Sequence, residues 1–232
     1  MRDKVQPLTP AEPARTRIGP FPDDAAPGAP LEPAEGTIVW PGALPRARQE
    51  ALVATLREAL AEAPFYRVRM PRTGRPLSVS MTNLGRLGWI SDKQGYRYEP
   101  RHPVTGRPWP PIPEELLRIW NELTGYPALP EACLVNFYAE GARMGLHQDR
   151  DEEPMDAPVL SVSLGDTAVF RLGGLERKGR TQSFRLHSGD VMMLAGPSRL
   201  RFHGIDRILP GSSTLLEKGG RLNLTLRRVT AP

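Results

Sequence analysis

A histidine and an aspartate stand two residues apart, His147 and Asp149, in the stretch MGLHQDRDEE that begins at Met144. If this stretch is extended, both side chains project from the same face of a strand, about 6 to 7 Å apart. An imidazole and a carboxylate at that separation suit two adjacent ligands of one metal ion. The alternative is a solvated loop that carries ordinary surface charges.

A third ligand must come from one of the three other histidines. His102 lies in the Pro- and Gly-rich stretch RHPVTGRPW and His187 lies in the turn HSGD, whereas His203 stands near the start of a strand-like segment. Of the three, His203 is the one that stands in a strand-like segment. Two imidazoles and one carboxylate leave coordination positions open, which favours non-haem Fe(II) over a closed structural zinc site.

The segment RLNLTLRR near the C-terminus alternates polar and apolar side chains. Its polar residues are Arg221, Asn223, Thr225 and Arg227, and its leucines are Leu222, Leu224 and Leu226. If the leucines face the core, the arginines lie outside on the surface. If the polar face lines a barrel interior instead, the buried guanidinium groups require anionic partners. A small dicarboxylate would satisfy both arginines, and beside an iron site it would be 2-oxoglutarate.

Two amphipathic helices are predicted ahead of these segments. Leucines recur every four residues in RARQEALVATLREALAEA, which follows Pro45 and stops before Pro64. A second apolar face runs through EELLRIWNELTG, which follows Pro113 and ends at Gly125. We expect both helices to cover one side of a sheet.

From Cys133 onward the hydrophobic period changes to two, as in β-strands. Turn residues separate these short segments, as in an all-β sandwich or barrel, and we identify no internal repeat. The predicted fold class is therefore α+β, mainly β, with an antiparallel double sheet. The predicted strands are CLVNFYAE, PVLSVSLG, TAVFRLGG, DVMMLAG and RLNLTLRR.

Residues 1–36 differ in composition from the rest of the chain. They contain eight prolines, few large apolar groups and no periodicity, which predicts a flexible tail. Their net charge is −2. Because the whole chain has a net charge of +5, residues 37–232 have a net charge of +7. A basic domain is typical of a protein that meets a polyanion, although an arginine-rich surface can also serve only solubility.

A single cysteine, Cys133, cannot form an internal disulfide or a thiolate zinc site. The chain shows no apolar run of the roughly 18 to 20 residues that a membrane helix needs. We therefore expect a cytoplasmic protein without a membrane partner, and a monomer.

Several motifs in the same order make the resemblance to one family specific. From about Leu77 to Arg228 the chain resembles the AlkB-type Fe(II)- and 2-oxoglutarate-dependent dioxygenases, most of all the bacterial members that repair alkylated DNA. The motifs are MTNLGRLGW, QGYRYEP, NFY, LHQDRDE, SVSLG, FRLGG, SRLRFHGI and RLNLTLR. The resemblance implies a double-stranded β-helix, or jelly roll, with flanking N-terminal helices. The dioxygenase domain would span 37–232, with a base-recognition segment at about 67–110 and the β-helix core at about 132–230.

The resemblance also implies roles for individual residues. The iron ligands would be His147, Asp149 and His203. The distal part of 2-oxoglutarate would contact Asn136, Tyr138 and Arg221, and the metal-chelating end would lie near Asn223 and Arg227. The base would contact Met81, Trp89 and Tyr96, with Arg150, Asp151 and Glu152 beyond the metal motif. Phosphate contacts would come from the arginines at 67, 69, 72 and 75 and from the loop at 177–180.

The activity implied by the resemblance is oxidative dealkylation of N-alkylated DNA bases of the 1-methyladenine and 3-methylcytosine type. The reaction would use Fe(II), O2 and 2-oxoglutarate and would release formaldehyde, succinate and CO2. Because such lesions are cationic, Asp151 and Glu152 would favour them over neutral bases. Two alternatives remain at this point: the same chemistry on RNA or protein, or a non-catalytic β-barrel that binds nucleic acid.

Overall fold

Two α-helices, one 3-10 helix (Gly196–Ser198) and fourteen strands make up the regular structure of residues 16–17 and 28–231, the part of the chain that the computed structural model describes. The α-helices are α1 (Arg46–Glu62) and α2 (Glu114–Thr124). The strands are β1 (Thr16–Arg17), β2 (Leu31–Ala34), β3 (Thr37–Trp40), β4 (Ser80–Gly85), β5 (Gly88–Asp92), β6 (Gly95–Glu99), β7 (Ala132–Tyr138), β8 (Met144–His147), β9 (Val159–Gly165), β10 (Thr167–Leu172), β11 (Gln182–Leu186), β12 (Val191–Leu194), β13 (His203–Leu209) and β14 (Arg221–Arg227).

The strands form two large sheets and one hairpin. The seven-stranded sheet has the order β2-β3-β12-β9-β14-β7-β4, and the five-stranded sheet has the order β1-β11-β10-β13-β8. All pairs are antiparallel except β1 with β11. Strands β5 and β6 pair only with each other, as a separate hairpin. Two facing antiparallel sheets confirm the predicted jelly roll.

Both predicted helices are present with the expected limits. Leu52 and Leu56 of α1 are buried, and α2 buries Trp120 completely. Gly125 ends α2 with a left-handed backbone (φ +60°), a conformation that costs glycine little. Among the described residues, no helix has the length and hydrophobicity needed to span a membrane.

The seven-stranded sheet separates two layers of hydrophobic core. On one side, Leu222, Leu224 and Leu226 of β14 pack in a cluster with residues of both helices. On the other side, a second cluster fills the space between the two sheets and includes Phe170 and Ile205. Because the leucines of β14 face the helices, its polar side chains point into the space between the sheets. The interior alternative for this strand is therefore the correct one.

The predicted flexible tail is too long at its C-terminal end. Leu31–Ala34 pairs with Thr37–Trp40, so residues 31–34 belong to the sheet. Proline is compatible with β2 because an edge strand leaves part of its backbone unpaired. The Glu32 carboxylate accepts a hydrogen bond of 2.8 Å from the Gly36 backbone and closes the turn. Residues 1–15 and 18–27 of the predicted tail lie outside the described residues.

One short sequence pattern occurs twice in the chain. Residues 69–76 (RMPRTGRP) and 101–108 (RHPVTGRP) share six of eight residue types. Each segment closes with an isolated antiparallel bridge, one between Arg69 and Pro76 and the other between Arg101 and Pro108. We call them the first and the second Arg loop.

Candidate active site

Strand pairing brings the two predicted imidazole ligands together. His147 ends β8, His203 begins β13, and the two residues are directly paired across these antiparallel strands. Asp149 follows two residues after His147, beyond the end of the strand. One potential ligand atom from each of the three side chains lies within 4.8 Å of the others.

The separations between these side chains suit a single ion. His147 Nε2 lies 3.8 Å from Asp149 Oδ1, and His203 Nε2 lies 3.7 Å from Asp149 Oδ2. Ligands about 2.1 Å from one ion lie roughly 3 to 4 Å from each other. Asp149 and His203 are buried, whereas the His147 side chain is 40% exposed. The group is therefore accessible from one side.

Backbone carbonyls orient both imidazoles. His147 Nδ1 lies 3.0 Å from the Gly145 carbonyl oxygen, and His203 Nδ1 lies 3.0 Å from the Arg201 carbonyl oxygen. A carbonyl can only accept, so each Nδ1–H donates and each Nε2 keeps a free lone pair. Both Nε2 atoms can then bind a metal ion.

The charges around Asp149 set its protonation state. Burial alone would raise its pKa, but the Arg227 guanidinium and the two imidazoles hold the pKa well below its usual range. Arg227 Nη2 lies 2.9 Å from Asp149 Oδ1. Burial and the nearby His147 lower the pKa of His203 to about 4. At neutral pH, Asp149 is therefore ionised and His203 is neutral, the forms that bind a cation.

A cavity between the two sheets adjoins these side chains. Its polar lining includes Asn136 and Tyr138 from β7 and Asn223 and Arg227 from β14. Asn136 Oδ1 is buried and has no hydrogen-bond partner among the described residues. The cavity can therefore accept a ligand that carries hydrogen-bond donors and acceptors.

Arg221 is the buried cation that most needs a partner. It is 1% exposed, and its Nη2 donates a 2.9 Å hydrogen bond to Ser163 Oγ. Its Nε and Nη1 have no hydrogen-bond partner among the described residues. Burial lowers its pKa to about 10, and its guanidinium lies 5.6 Å from the centre of the Tyr138 ring. A cation in this position favours an anionic ligand, because an isolated buried charge costs several kcal/mol.

Two serines of β9 belong to the same polar layer, and sequence reasoning missed them. Asn223 Nδ2 donates to Ser161 Oγ at 2.6 Å, and Ser163 accepts from Arg221. The motif SVSLG places these serines at alternate positions, so they share one strand face. This alternation of serine with apolar residues is a sequence signal for a polar strand face. In the structure β9 pairs with β14, so the polar faces of the two strands are continuous.

The β5–β6 hairpin carries the predicted base-binding aromatics. The rings of Trp89 and Tyr96 are stacked, with centroids 5.3 Å apart and planes inclined by 17°. Tyr96 is 53% exposed. Trp89 Nε1 donates a 2.9 Å hydrogen bond to Asp151 Oδ2, which ties the hairpin to the loop after the metal motif.

The three other predicted substrate residues differ in exposure and in orientation. Met81 is 2% exposed and packs in the core between the sheets, because its strand face is covered. Arg150 is exposed. Glu152 points inward instead of toward a base, so its predicted substrate contact does not fit its position. Its carboxylate accepts from the Tyr98 hydroxyl and from Arg199 Nη2 at 2.9 Å.

Arg199 is a further residue that the sequence did not reveal. It is 3% exposed and donates to the Asp149 carbonyl oxygen at 2.6 Å and to the Ala157 carbonyl oxygen at 2.7 Å. Together with its ion pair to Glu152, these bonds fix the loop that presents Asp149. In the sequence it is one of two arginines in SRLRFHGI, and no local pattern separates it from Arg201.

His102 has a structural role, since both of its ring nitrogens bind backbone groups. This role is consistent with its absence from the predicted ligand set. It is 1% exposed, and its Nδ1 accepts hydrogen bonds from the backbone of Val104 at 3.0 Å and of Thr105 at 3.2 Å. Its Nε2–H therefore donates to the Pro64 carbonyl oxygen, 2.9 Å away. Neither ring nitrogen is free for a metal.

Comparisons with known proteins agree with this geometry. The profile of the 2OG-Fe(II) oxygenase superfamily matches residues 36–227. An "Alpha-ketoglutarate-dependent dioxygenase AlkB homolog" of Caulobacter vibrioides is 58% identical over 199 residues, which cover 86% of this chain and 90% of that protein. "Alpha-ketoglutarate-dependent dioxygenase AlkB" of Escherichia coli is 41% identical over 183 residues, 77% of this chain and 84% of that protein. The solved structure of OsALKBH1 superposes with a TM-score of 0.75 at 30% identity, over 86% of this chain and 99% of that chain.

Proposed function

The chain belongs to the 2OG-Fe(II) oxygenase superfamily as an AlkB-type dioxygenase, and from this premise we propose that it removes N-alkyl groups from bases of DNA. The enzyme uses Fe(II), 2-oxoglutarate and O2. The proposed products are the restored base, formaldehyde, succinate and CO2. The observation that carries the proposal is the convergence of two imidazoles and a carboxylate on a cavity lined by β14, the strand that also carries the buried and incompletely bonded Arg221.

The side chains fit the iron and the cosubstrate on their own chemistry. His147, Asp149 and His203 offer the two nitrogen ligands and one carboxylate that leave iron positions open. Arg221 offers unpaired guanidinium N–H groups that match a carboxylate. Asn136 and Tyr138 would bind the same distal part of 2-oxoglutarate, and Asn223 and Arg227 would lie near its chelating end.

When bound, iron with 2-oxoglutarate and O2 supplies the oxidant that inserts one oxygen atom into a C–H bond of the N-alkyl group. For a methyl group, the C–N bond of the hydroxylated carbon would then break, the hydroxyl proton would pass to the base nitrogen, and the carbon would leave as formaldehyde. The protein side chains bind and orient the reactants in this scheme. Arg227 holds the Asp149 carboxylate in place, and Arg199 holds the backbone that carries it.

We propose that Trp89 and Tyr96 bind the base after it leaves the helical stack. The exposed Tyr96 ring, stacked on the half-buried Trp89, offers a face for a base, and stacking on an aromatic is worth roughly 1 to 3 kcal/mol. Asp151 lies next to this pair and would attract a base that carries a positive charge. Met81 belongs to the core cluster against which Trp89 packs, and Arg150 could contact a phosphate.

The deciding experiment measures formaldehyde from an oligonucleotide that contains one 1-methyladenine. We expect stoichiometric release with Fe(II) and 2-oxoglutarate, and none from an unmodified oligonucleotide of the same sequence. An RNA oligonucleotide with the same lesion tests the alternative substrate. Activity on RNA alone would reject DNA as the substrate, and release from neither would reject the proposed function.

The proposed state is a monomer in the cytoplasm. Each of the three proposed iron ligands comes from the same chain, so one copy holds a complete site. Sedimentation at working concentration tests the monomer, and cell fractionation tests the compartment.

A further inference from the structure

The β5–β6 hairpin carries the proposed base-binding rings, yet within the described part of the chain its strands pair only with each other. A two-stranded hairpin alone is marginally stable in water, so side-chain contacts must fix its position. Strand β4, which belongs to the seven-stranded sheet, comes just before the hairpin along the chain. Only Arg86 and Leu87 separate β4 from β5. Strand β4 is therefore a fixed support beside the start of the hairpin.

Asn83 of β4 bonds both backbone groups of Trp89. Its Oδ1 accepts a 3.0 Å hydrogen bond from the Trp89 N–H, and its Nδ2 donates a 3.0 Å hydrogen bond to the Trp89 carbonyl oxygen. These bonds fix which way the amide points, because a backbone N–H only donates and a carbonyl only accepts. For this one residue of β5, the Asn83 side chain takes the place of a neighbouring strand.

The contact between Asn83 and the hairpin is buried and closely packed. Asn83 is 0% exposed. A Cβ atom added to Gly88 would lie 2.4 Å from the Trp109 indole and 2.7 Å from the Asn83 Cβ. Both separations are shorter than any van der Waals contact, so the close approach requires glycine at this position. The start of β5 therefore lies directly against Asn83.

Trp89 is also held at the far end of its side chain. Its Nε1–H donates to Asp151 Oδ2 at 2.9 Å, so the backbone and the tip of the ring are bonded to different parts of the protein. A ring that is fixed at both ends is oriented before a base arrives. Such preorganisation lowers the cost of binding.

The neighbouring residue of β4 shows that burial alone does not explain Asn83. Thr82 is also buried, at 1% exposure, but its hydroxyl donates to the Ala63 carbonyl oxygen at 2.9 Å, at the end of α1. A buried amide is costly unless its polar atoms are bonded, and leucine would fill a similar volume without that cost. Of these two polar residues, Asn83 is the one whose bonds reach a proposed base-binding residue.

We propose that Asn83 is a positioning residue for base recognition, which sets the orientation of the Trp89 ring through the Trp89 backbone. This inference rests on the proposed function, because it takes a base as the ligand of that ring. Without the two bonds, the start of β5 loses its attachment to β4 and the ring adopts other orientations. Fewer of these orientations stack on a base. Asn83 is buried and acts through Trp89.

The test compares Asn83→Leu with the control Thr82→Val. The first variant removes both bonds to Trp89, and the second removes one buried hydrogen bond from the same strand and leaves the Trp89 contacts intact. Urea unfolding measures the stability that each variant loses. Fluorescence anisotropy then measures the affinity of the protein, with Fe(II) and 2-oxoglutarate but without O2, for an oligonucleotide that contains one 1-methyladenine.

The expected result is a loss of affinity in Asn83→Leu and not in Thr82→Val. The dissociation constant of Asn83→Leu should rise at least about threefold, and no more than the roughly tenfold expected of Trp89→Ala. Thr82→Val should keep the original constant although it unfolds at a lower urea concentration. In turnover, Asn83→Leu should raise KM for the oligonucleotide much more than it lowers kcat. An unchanged constant in Asn83→Leu, or an equal rise in both variants, would overturn the proposal.

A double variant tests whether Asn83 acts through the Trp89 ring. In a Trp89→Ala protein, Asn83→Leu should raise the dissociation constant by less than about twofold, because the ring that Asn83 orients is gone. A rise as large as in the unchanged protein would mean that Asn83 supports the hairpin in general, and would reject the assignment.

Asn83→Val covers the case in which Asn83→Leu does not fold. Valine also lacks both polar atoms, and its branched side chain suits a strand. The dissociation constant should rise as in Asn83→Leu, and an unchanged constant in this folded variant would contradict the proposal. If the unchanged protein releases no formaldehyde, the proposed function fails, while the dissociation constants still judge the role of Asn83.

Discussion

The proposed iron site and the β5–β6 hairpin are held in opposite ways. Around the iron site, buried charges are bonded to one another: Arg227 contacts Asp149 at 2.9 Å, and Arg199 contacts Glu152 at 2.9 Å. On the hairpin, Trp89 and Tyr96 stack on each other at the surface. The first arrangement allows little movement, whereas the second leaves a face free for a ligand.

Two side-chain hydrogen bonds join these regions. Trp89 donates to Asp151, and the Tyr98 hydroxyl donates to Glu152. Burial raises the pKa of Tyr98 well above its usual value, so its hydroxyl stays protonated and can donate. The comparison indicates that a rigid, buried constellation performs the chemistry, while an exposed hairpin and its loops determine what enters. Changes in the first region should therefore affect turnover, and changes in the second should affect substrate use.

The largest effect should come from His147→Ala in the buried region. Turnover should fall by at least about 100-fold, because loss of even an outer partner of a metal ligand costs 10- to 100-fold. Formaldehyde release measures the loss, and an anaerobic absorption band of iron with 2-oxoglutarate should disappear in parallel. Oligonucleotide affinity should not change. Substantial turnover in this variant would remove His147 from the iron site.

Arg221→Ala should raise the 2-oxoglutarate concentration needed for half-maximal rate by roughly 10- to 100-fold. This factor corresponds to the loss of a charge-assisted hydrogen bond, which contributes about 1.5 to 3 kcal/mol. The rate at saturating 2-oxoglutarate should fall much less. Arg185→Ala, on β11 of the other sheet, is a control for lost charge. An unchanged requirement would show that Arg221 does not bind the cosubstrate.

The metal-free protein should lose stability as the pH falls from about 6.5 toward 4. His203 has its pKa lowered to about 4 in the fold, so below the ordinary value the unfolded chain binds a proton that the folded chain does not. At pH 5 this difference is worth about 2 kcal/mol. Urea unfolding at pH 7 and pH 5 measures it. His203→Gln should show a smaller loss over this interval, and an equal loss would contradict the assignment.

Trp89→Ala should have the smallest of these effects, and it should act on substrate use. We expect the Michaelis constant for methylated oligonucleotide to rise about tenfold, within the range given by the 1 to 3 kcal/mol of base stacking. Oxidation of 2-oxoglutarate without DNA should continue at the original rate. Trp89→Phe, which keeps an aromatic face, should recover most of the loss. A fall in both reactions would mean that the hairpin supports the iron site instead.

Much of the local structure could be predicted from the sequence. Both helices and the main strands follow from periods of four and two residues, whereas the His147–Asp149 spacing alone left a metal site and a solvated loop open. The missed elements have weak patterns. Strand β2 contains a proline, and the Arg loops have turn chemistry without hydrophobic period. Their shared conformation depends on backbone hydrogen bonds that residue types alone do not reveal.

The sequence by itself determined which residues could bind a metal, a dicarboxylate or a base, because those capacities belong to the side chains. Only the tertiary structure decided how they combine. The alternation in β14 has the same appearance whether its polar face meets water or a cavity, and the packing of Leu224 against the helices selects the cavity. Likewise, His147 and His203 meet because β8 pairs with β13. Strand pairing joins residues that are distant along the chain, and no local pattern specifies that partner.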